Sequence, residues 1–208
     1  MTAATASSPA TWVSPALLAS LILMGSANSV LFSVAPPAGR QLGFAEWQVG
    51  LIVTFSAAAY MMAATWWGRI SDIRGRRLVV VAGMAGFGAG GVAFAAVLDV
   101  GLAKIAPAML VLVVLIAVRV VQSAVSGGVY PAAQAHVADT TPPERRAVAL
   151  STITAAFALG TILGPGVAGF LVEVHITLPL YLIGLLSIAV AGWCFFTFRQ
   201  SPVAPRSE

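Results

Sequence analysis

Apolar residues run along this chain in six long blocks, and the charged residues collect in the short segments between them. An α-helix rises 1.5 Å per residue, so about 20 residues cross a hydrocarbon core of ~30 Å. Blocks of that length lie at about 12–35, 47–67, 78–98, 107–137, 147–172 and 177–198. Each is apolar all round, and in lipid a helix pairs its backbone polar groups internally. Strands of a barrel would alternate along ~10 residues, and no block does. The pattern predicts an all-α integral membrane protein of six transmembrane helices. A tail at 1–11 would precede the bundle at 12–198, and a second tail would occupy 199–208.

Composition agrees with this reading. Of 208 residues, 59% are hydrophobic and 9% charged, against ~25% charged in a soluble domain. So little charge cannot wet the surface of a globule, and the surface must face lipid. The net charge of +4 sits in the connections rather than on one patch. It reads as a set of topology signals, with no nucleic-acid partner. Cys194, the one cysteine, excludes an internal disulfide and reads as a packed small side chain. The run 17–25, followed by Ser33-Val34-Ala35, resembles a signal peptide. The first 39 residues hold no Lys or Arg, however, and Pro36 and Pro37 follow, so a retained helix is expected.

The basic residues also orient the bundle. Arg69, Arg74, Arg76, Arg77, Arg145, Arg146, Arg199 and Arg206 fall on one side, and only Arg40 and Lys104 on the other. The positive-inside rule makes the first side, with both termini, cytoplasmic.

Topology alone would cluster arginines between helices 2 and 3 without ordering them. Here Gly68 and Gly75 bracket a turn, Asp72 lies between them, and Arg76 and Arg77 follow. Should helix continue past Asp72, Arg76 is its i+4 partner. The run Trp67-Gly68-Arg69-Ile70-Ser71-Asp72-Ile73-Arg74-Gly75-Arg76-Arg77 resembles the loop signature of the major facilitator superfamily, Gly-x-Leu-Ser/Ala-Asp-x-x-Gly-Arg-Arg/Lys. Ile70 stands for the usual Leu. The resemblance implies a fold of 3+3 inverted repeats, here as one six-helix half. It also implies a cytoplasmic latch: Asp72 set against a helix N-terminus of the other half, and Asp139 paired with an arginine of the turn, Arg76.

Helix 4 carries Arg119 at membrane depth. Gln122, Ser126, Tyr130 and Gln134 follow at spacings that place a polar stripe on one face. Arginine at the bilayer centre costs ~2.5–3.5 kcal/mol on insertion scales, so it faces a cavity or a partner. The plainer alternative is an arginine clamped between helices for packing. Arg119-Val-Val-Gln122-Ser123 resembles the Arg-x-x-Gln-Gly signature of proton-coupled antiporters, which implies that Arg119 manages charge near a proton or substrate site. In helix 5, Gly160, Gly164 and Ala168 form a close-approach face beside Pro165 and Gly169. This stretch resembles the antiporter signature Gly-x-x-x-Gly-Pro-x-x-Gly-Gly and points to efflux. Ahead of it, Thr141-Pro-Pro-Glu144 reads as a capping box. Asn28 and Tyr60 could line a cavity with Arg119 or make interhelical hydrogen bonds. His136 is a further titratable side chain near the end of helix 4.

The pattern departs from the resemblance in two ways. No apolar block has a carboxylate at its centre, since Asp72, Asp99, Asp139 and Glu173 lie at block ends. Proton coupling is therefore not visible in the sequence. The chain also corresponds to half of a typical family member and stops where a central loop would begin.

The leading expectation is the N-terminal half of a secondary active transporter, exporting a small molecule with protons as candidate partners. A second half would come in trans or from a homodimer. The alternative is an orphan six-helix membrane protein that modulates a complete transporter. No nucleophile–base pair, phosphate loop or metal-ligand cluster is present, so neither an enzyme, nor a metal, nor a cofactor is expected.

Overall fold

The computed structural model describes residues 13–197, and every element in that range is helical. In chain order these are α1 (Pro15–Gln41), α2 (Glu46–Arg74), α3 (Arg76–Leu102), α4 (Ala108–Ser126), α5 (Val129–Thr140), α6 (Pro143–Val172) and α7 (Leu178–Thr197). α4 and α5 run on from one another as a single stretch, Ala108–Thr140, so the described residues contain six helices long and apolar enough to span a membrane. Arg199 and Arg206 lie outside the described residues.

Local signals set the helix starts. The Ser14 hydroxyl accepts from the Leu17 N–H at 3.2 Å, and Pro15 occupies the first turn, where its missing N–H costs nothing. Helix ends reach further than the apolar blocks. α1 continues through Pro36 and Pro37 to Gln41. Its last turn is held by packing, because Ala38 and Gly39 are buried and Gly39 lies against Val49 and Phe44 of the next segment. Burial there outweighs the proline penalty.

Two local expectations are corrected. α2 runs to Arg74, so Gly68 is inside a helix with open space around it, and Gly75 alone makes the turn, at φ 94°. Only glycine takes that backbone freely. The capping box before α6 does not form: Pro142 occupies the cap position, and the buried Thr141 hydroxyl has no hydrogen-bond partner. Pro142 starts the helix one residue later, which moves Thr141 out of reach of the first-turn N–H groups.

Five pairings build the bundle: α1 on α6, α3 on α7, α3 on α4, α2 on α4, and α1 on α7. Counted as spans, these are first with fifth, third with sixth, third with fourth, second with fourth and first with sixth. Exchanging the first three spans for the last three maps this set onto itself, as a 3+3 repeat requires. Glycine makes the α1–α6 and α3–α7 pairings possible. A Cβ on Gly25 would sit 2.1 Å from the Phe157 carbonyl oxygen, and one on Gly88 2.5 Å from that of Gly184.

The core divides into two layers. One, towards the arginine-rich end, holds Leu17, Leu21, Met84, Val129, Val137 and Ile153. The other holds Val30, Val34, Phe94, Leu98, Leu115 and Ile183. Arg119 and Gln122 lie at the level between them.

Candidate functional site

The middle of the bundle is built on α4. Arg119 Nη1 donates to Gln122 Oε1 at 2.6 Å, and Gln122 Nε2 donates to the Phe87 carbonyl of α3 at 2.7 Å. The glutamine fits because α3 is glycine-rich there: a Cβ on Gly90 would lie 2.6 Å from the Gln122 side chain. A small cavity adjoins the pair, lined by Ala27, Leu31, Phe94, Ile183 and Gly184 among others. Phe94 presents its ring 5.9 Å from the Arg119 guanidinium carbon, within reach of a weak cation–π attraction. Arg119 Nε is buried without a partner, and every described Asp or Glu lies at or beyond a helix end, at positions 46, 72, 99, 139, 144 and 173. The guanidinium therefore sits in an apolar layer with no countercharge from this bundle, an arrangement that is costly unless an anion or a second bundle balances it.

The polar stripe does not stay on one face. Ser126 turns back to its own helix, donating to the Gln122 carbonyl at 2.8 Å. Tyr130 faces α6 instead: its hydroxyl is 3.3 Å from Thr154 Oγ1, and its ring meets Phe157 edge-on at 5.5 Å. Gln134 is exposed. Asn28 is exposed on α1, whereas its neighbours Ala27, Val30 and Leu31 line the Arg119 cavity. Tyr60 is half-buried on α2. Arg119 and Gln122 are thus brought together, and Tyr130, Asn28 and Gln134 stand apart from them.

Within this stretch the helical hydrogen-bond ladder lapses between Ser126 and Val129, although Gly127 and Gly128 both keep right-handed helical dihedrals. Pro131 has no N–H to return to the Gly127 carbonyl, and its ring crowds that oxygen. Gly-Gly-x-x-Pro was the available signal.

At the arginine-rich end, Arg76 lies between two carboxylates. Its Nη1 is 2.5 Å from Asp72 Oδ1, and its Nε is 3.3 Å from Asp139 Oδ2. A further donor contact runs from Nη1 to Ser71 Oγ at 3.1 Å. These three anchors join the ends of α2, α3 and α5. Arg77 points the other way, donating to the Phe195 carbonyl and covering that ring at 4.6 Å, which ties α3 to α7.

On α6, Gly160 and Gly164 press on α1. Their Cβ atoms would lie 2.0 Å from the Ile22 carbonyl oxygen and 2.6 Å from that of Ser26. Ser29 Oγ donates across the same contact to the Thr161 carbonyl at 2.8 Å. Pro165 and Gly169 fall on the exposed side of α6, and nothing approaches Gly169.

A second polar group was missed altogether. At the end opposite the arginines, Asp99 accepts from Thr177 Oγ1 at 2.8 Å and from the Tyr181 hydroxyl at 2.9 Å, and His175 Nδ1 lies 2.7 Å from that threonine oxygen. Only tertiary packing brings α3 and the start of α7 together here, so local spacing carried no signal.

Comparison with known proteins places these features in a family. The sequence model of the Major Facilitator Superfamily matches residues 17–208. Multidrug resistance protein 1 of Bacillus subtilis (strain 168) is 26% identical over 192 residues, covering 92% of this chain and 46% of that protein. Quinolone resistance protein NorA of Staphylococcus aureus (strain MRSA252) is 28% identical over 168 residues, covering 81% and 40%. The chain therefore spans less than half the length of these relatives.

Proposed function

The chain belongs to the Major Facilitator Superfamily, and from that premise we propose that its bundle is the N-terminal half of a secondary active transporter that exports a small molecule. The observation carrying this reading is the family match along residues 17–208. The names of the relatives, which speak of multidrug and quinolone resistance, favour export of drug-like compounds. The chain is a multi-pass membrane protein of a transporter family and not an enzyme. The count of arginines supports an inner-membrane placement with residues 1–11 and 199–208 as cytoplasmic tails around the bundle.

In this proposal the second wall of the cavity is another six-helix bundle, supplied by the rest of a longer chain, by a separate chain or by a second copy. The close α1–α6 contact at Gly160 and Gly164 makes those helices move together. The Asp72–Arg76–Asp139 group joins the cytoplasmic helix ends and loosens as the bundles rock. Arg119, held by Gln122, supplies positive charge to the substrate or proton pathway, and Ser126, Tyr130, Asn28 and Tyr60, which stand apart from it in this bundle, are the candidates to join that pathway as the bundles rock.

Reconstituted vesicles test this directly. The protein, together with its second bundle, is expected to take up members of a panel of drug-like and anionic compounds, a quinolone included, under an imposed pH gradient. Arg119→Ala should lose that uptake while remaining folded. Uptake by neither protein, or equal uptake by both, would overturn the assignment of transport or of Arg119 respectively.

A further inference from the structure

The break in the fourth span lies where two differently anchored segments meet. α4 is fastened to α3 through Gln122 and the Phe87 carbonyl. α5 is fastened to α6, through Tyr130 and Thr154, and to the start of α3, through Asp139 and Arg76. Between them the helical ladder lapses at Gly127-Gly128, ahead of Pro131.

One side chain touches both segments. Trp67 of α2 donates its indole N–H to the Ala124 carbonyl of α4 at 2.7 Å. That oxygen would ordinarily be paired by the N–H four residues on, at Gly128, where the helix has lapsed. The same residue covers the α5 side: a Cβ on Gly128 would lie 2.4 Å from Trp67 Cβ and 2.7 Å from its Cγ. Gly127 is equally confined, since a Cβ there would lie 3.0 Å from the Tyr60 carbonyl oxygen and 3.1 Å from the Ala63 Cβ. Both glycines are needed for α2 to approach this close. Trp67 also stands one residue ahead of Gly68, on the helix that carries Asp72 to the arginine-rich end.

We infer that the fourth span is a jointed element and that Trp67 is a positioning residue clamping its joint. The clamp fixes the angle between the segment bearing Arg119 and the segment bearing Asp139. Motion at the Asp72–Arg76–Asp139 group reaches Arg119 by way of this joint, not along a rigid rod. In a continuous helix the Ala124 carbonyl would also be paired within the ladder, and Trp67 would add only a second bond to it. The inference goes beyond transport, and its failure would leave that reading standing.

Spin-label distances on the full-length chain in lipid nanodiscs provide the test, with Cys194→Ala removing the native thiol. Labels at the exposed positions Val121 and Gln134 span the joint, and labels at Val113 and Val121 lie within α4 as a control. Trp67→Phe keeps an aromatic ring over the glycines but removes the N–H donor, so the 121–134 distribution should broaden while 113–121 stays as it was. Pro131→Ala restores an N–H to the ladder and should narrow and shift the 121–134 distribution. Asp139→Asn, which frees α5 at its far end, should move 121–134 in the parent and again leave 113–121 alone. An unchanged 121–134 distribution in Trp67→Phe and Pro131→Ala would overturn the joint. Equal broadening of both pairs would show a general loss of packing and overturn the clamp.

Discussion

Gly160→Ala in α6 adds one methyl group at the tightest point of the bundle. The new Cβ would lie 2.0 Å from the Ile22 carbonyl oxygen, 2.9 Å from the Ile22 carbonyl carbon and 2.9 Å from the Ser26 nitrogen. All three are backbone atoms of α1, so no rotamer change can make room, and the helices must separate by on the order of 1 Å for ordinary contact. Separation also loosens the facing contact at Gly25 and the Ser29-to-Thr161 hydrogen bond of 2.8 Å. Overpacking of this kind costs about 1–3 kcal/mol, and rigid backbone on both sides puts this case at the upper end. Alanine's better helix propensity offsets about 1 kcal/mol. The net expectation is a loss of roughly 1–2 kcal/mol. Gly169→Ala in the same helix is the internal control, because nothing lies within 4 Å of its Cβ; it should be neutral or stabilising by up to about 1 kcal/mol. The assay is reversible SDS unfolding in mixed micelles, followed by helical circular dichroism. If Gly160→Ala proved as stable as Gly169→Ala, close α1–α6 approach could not be what this glycine is for.

Gln122→Leu should destabilise the bundle by about 1–3 kcal/mol in the same assay, because it strands Arg119 Nη1 and removes the link to the Phe87 carbonyl; a neutral result would mean that water replaces the amide. Asp139→Asn should cost no more than about 1 kcal/mol, since the pair is partly exposed and Arg76 keeps Asp72. Its effect should instead appear as faster crosslinking between cysteines placed at the ends of α2 and α5. Cys194 is buried, 3.3 Å from Ser20 Oγ and 3.5 Å from the Ala16 carbonyl oxygen. A bilayer-permeant maleimide should therefore label it slowly in the folded protein and rapidly after denaturation, and equal rates would contradict that packing.

The number of spans was legible because lipid allows a crossing segment few alternatives to an apolar helix. Their ends were not, since hydropathy marks where the apolar stretch stops and not where the hydrogen-bond ladder stops. α2 carries on through Arg69, Asp72 and Arg74, residues any hydropathy reading assigns to a loop. Arg119 and Gln122 were legible as a pair because charge at that depth is rare. The partners of the rest of the stripe were not, because a helical wheel shows which residues share a face and not what packs against it. Gly127, Gly128 and Pro131 mark the lapse in the ladder, yet all three pass unnoticed in a window that scores only apolarity. The Asp99 group was beyond local reading altogether, since its partners lie 78 and 82 positions away.

The repeat symmetry and the polar groups follow different logics, and α3 is where they meet. Glycine contacts recur only in part across the matching span pairs, since Gly83, Gly86 and Gly90 of the third span meet the fourth, and the polar anchors follow the symmetry no better. Three of them engage α3, while Ser29–Thr161, Tyr130–Thr154 and Trp67–Ala124 link other helices. Arg76 at its start meets Asp72 and Asp139, the Phe87 carbonyl near its middle receives Gln122, and Asp99 near its end receives Thr177 and Tyr181. α3 is also pressed against α7 at Gly88 and Gly184, backbone to backbone, which leaves it little freedom to bend. The α3–α7 pair thus combines a backbone-to-backbone contact with three of the polar anchors. Parting Arg76 from Asp139 displaces α5 relative to α3, and α5 begins at the turn that Trp67 of α2 covers.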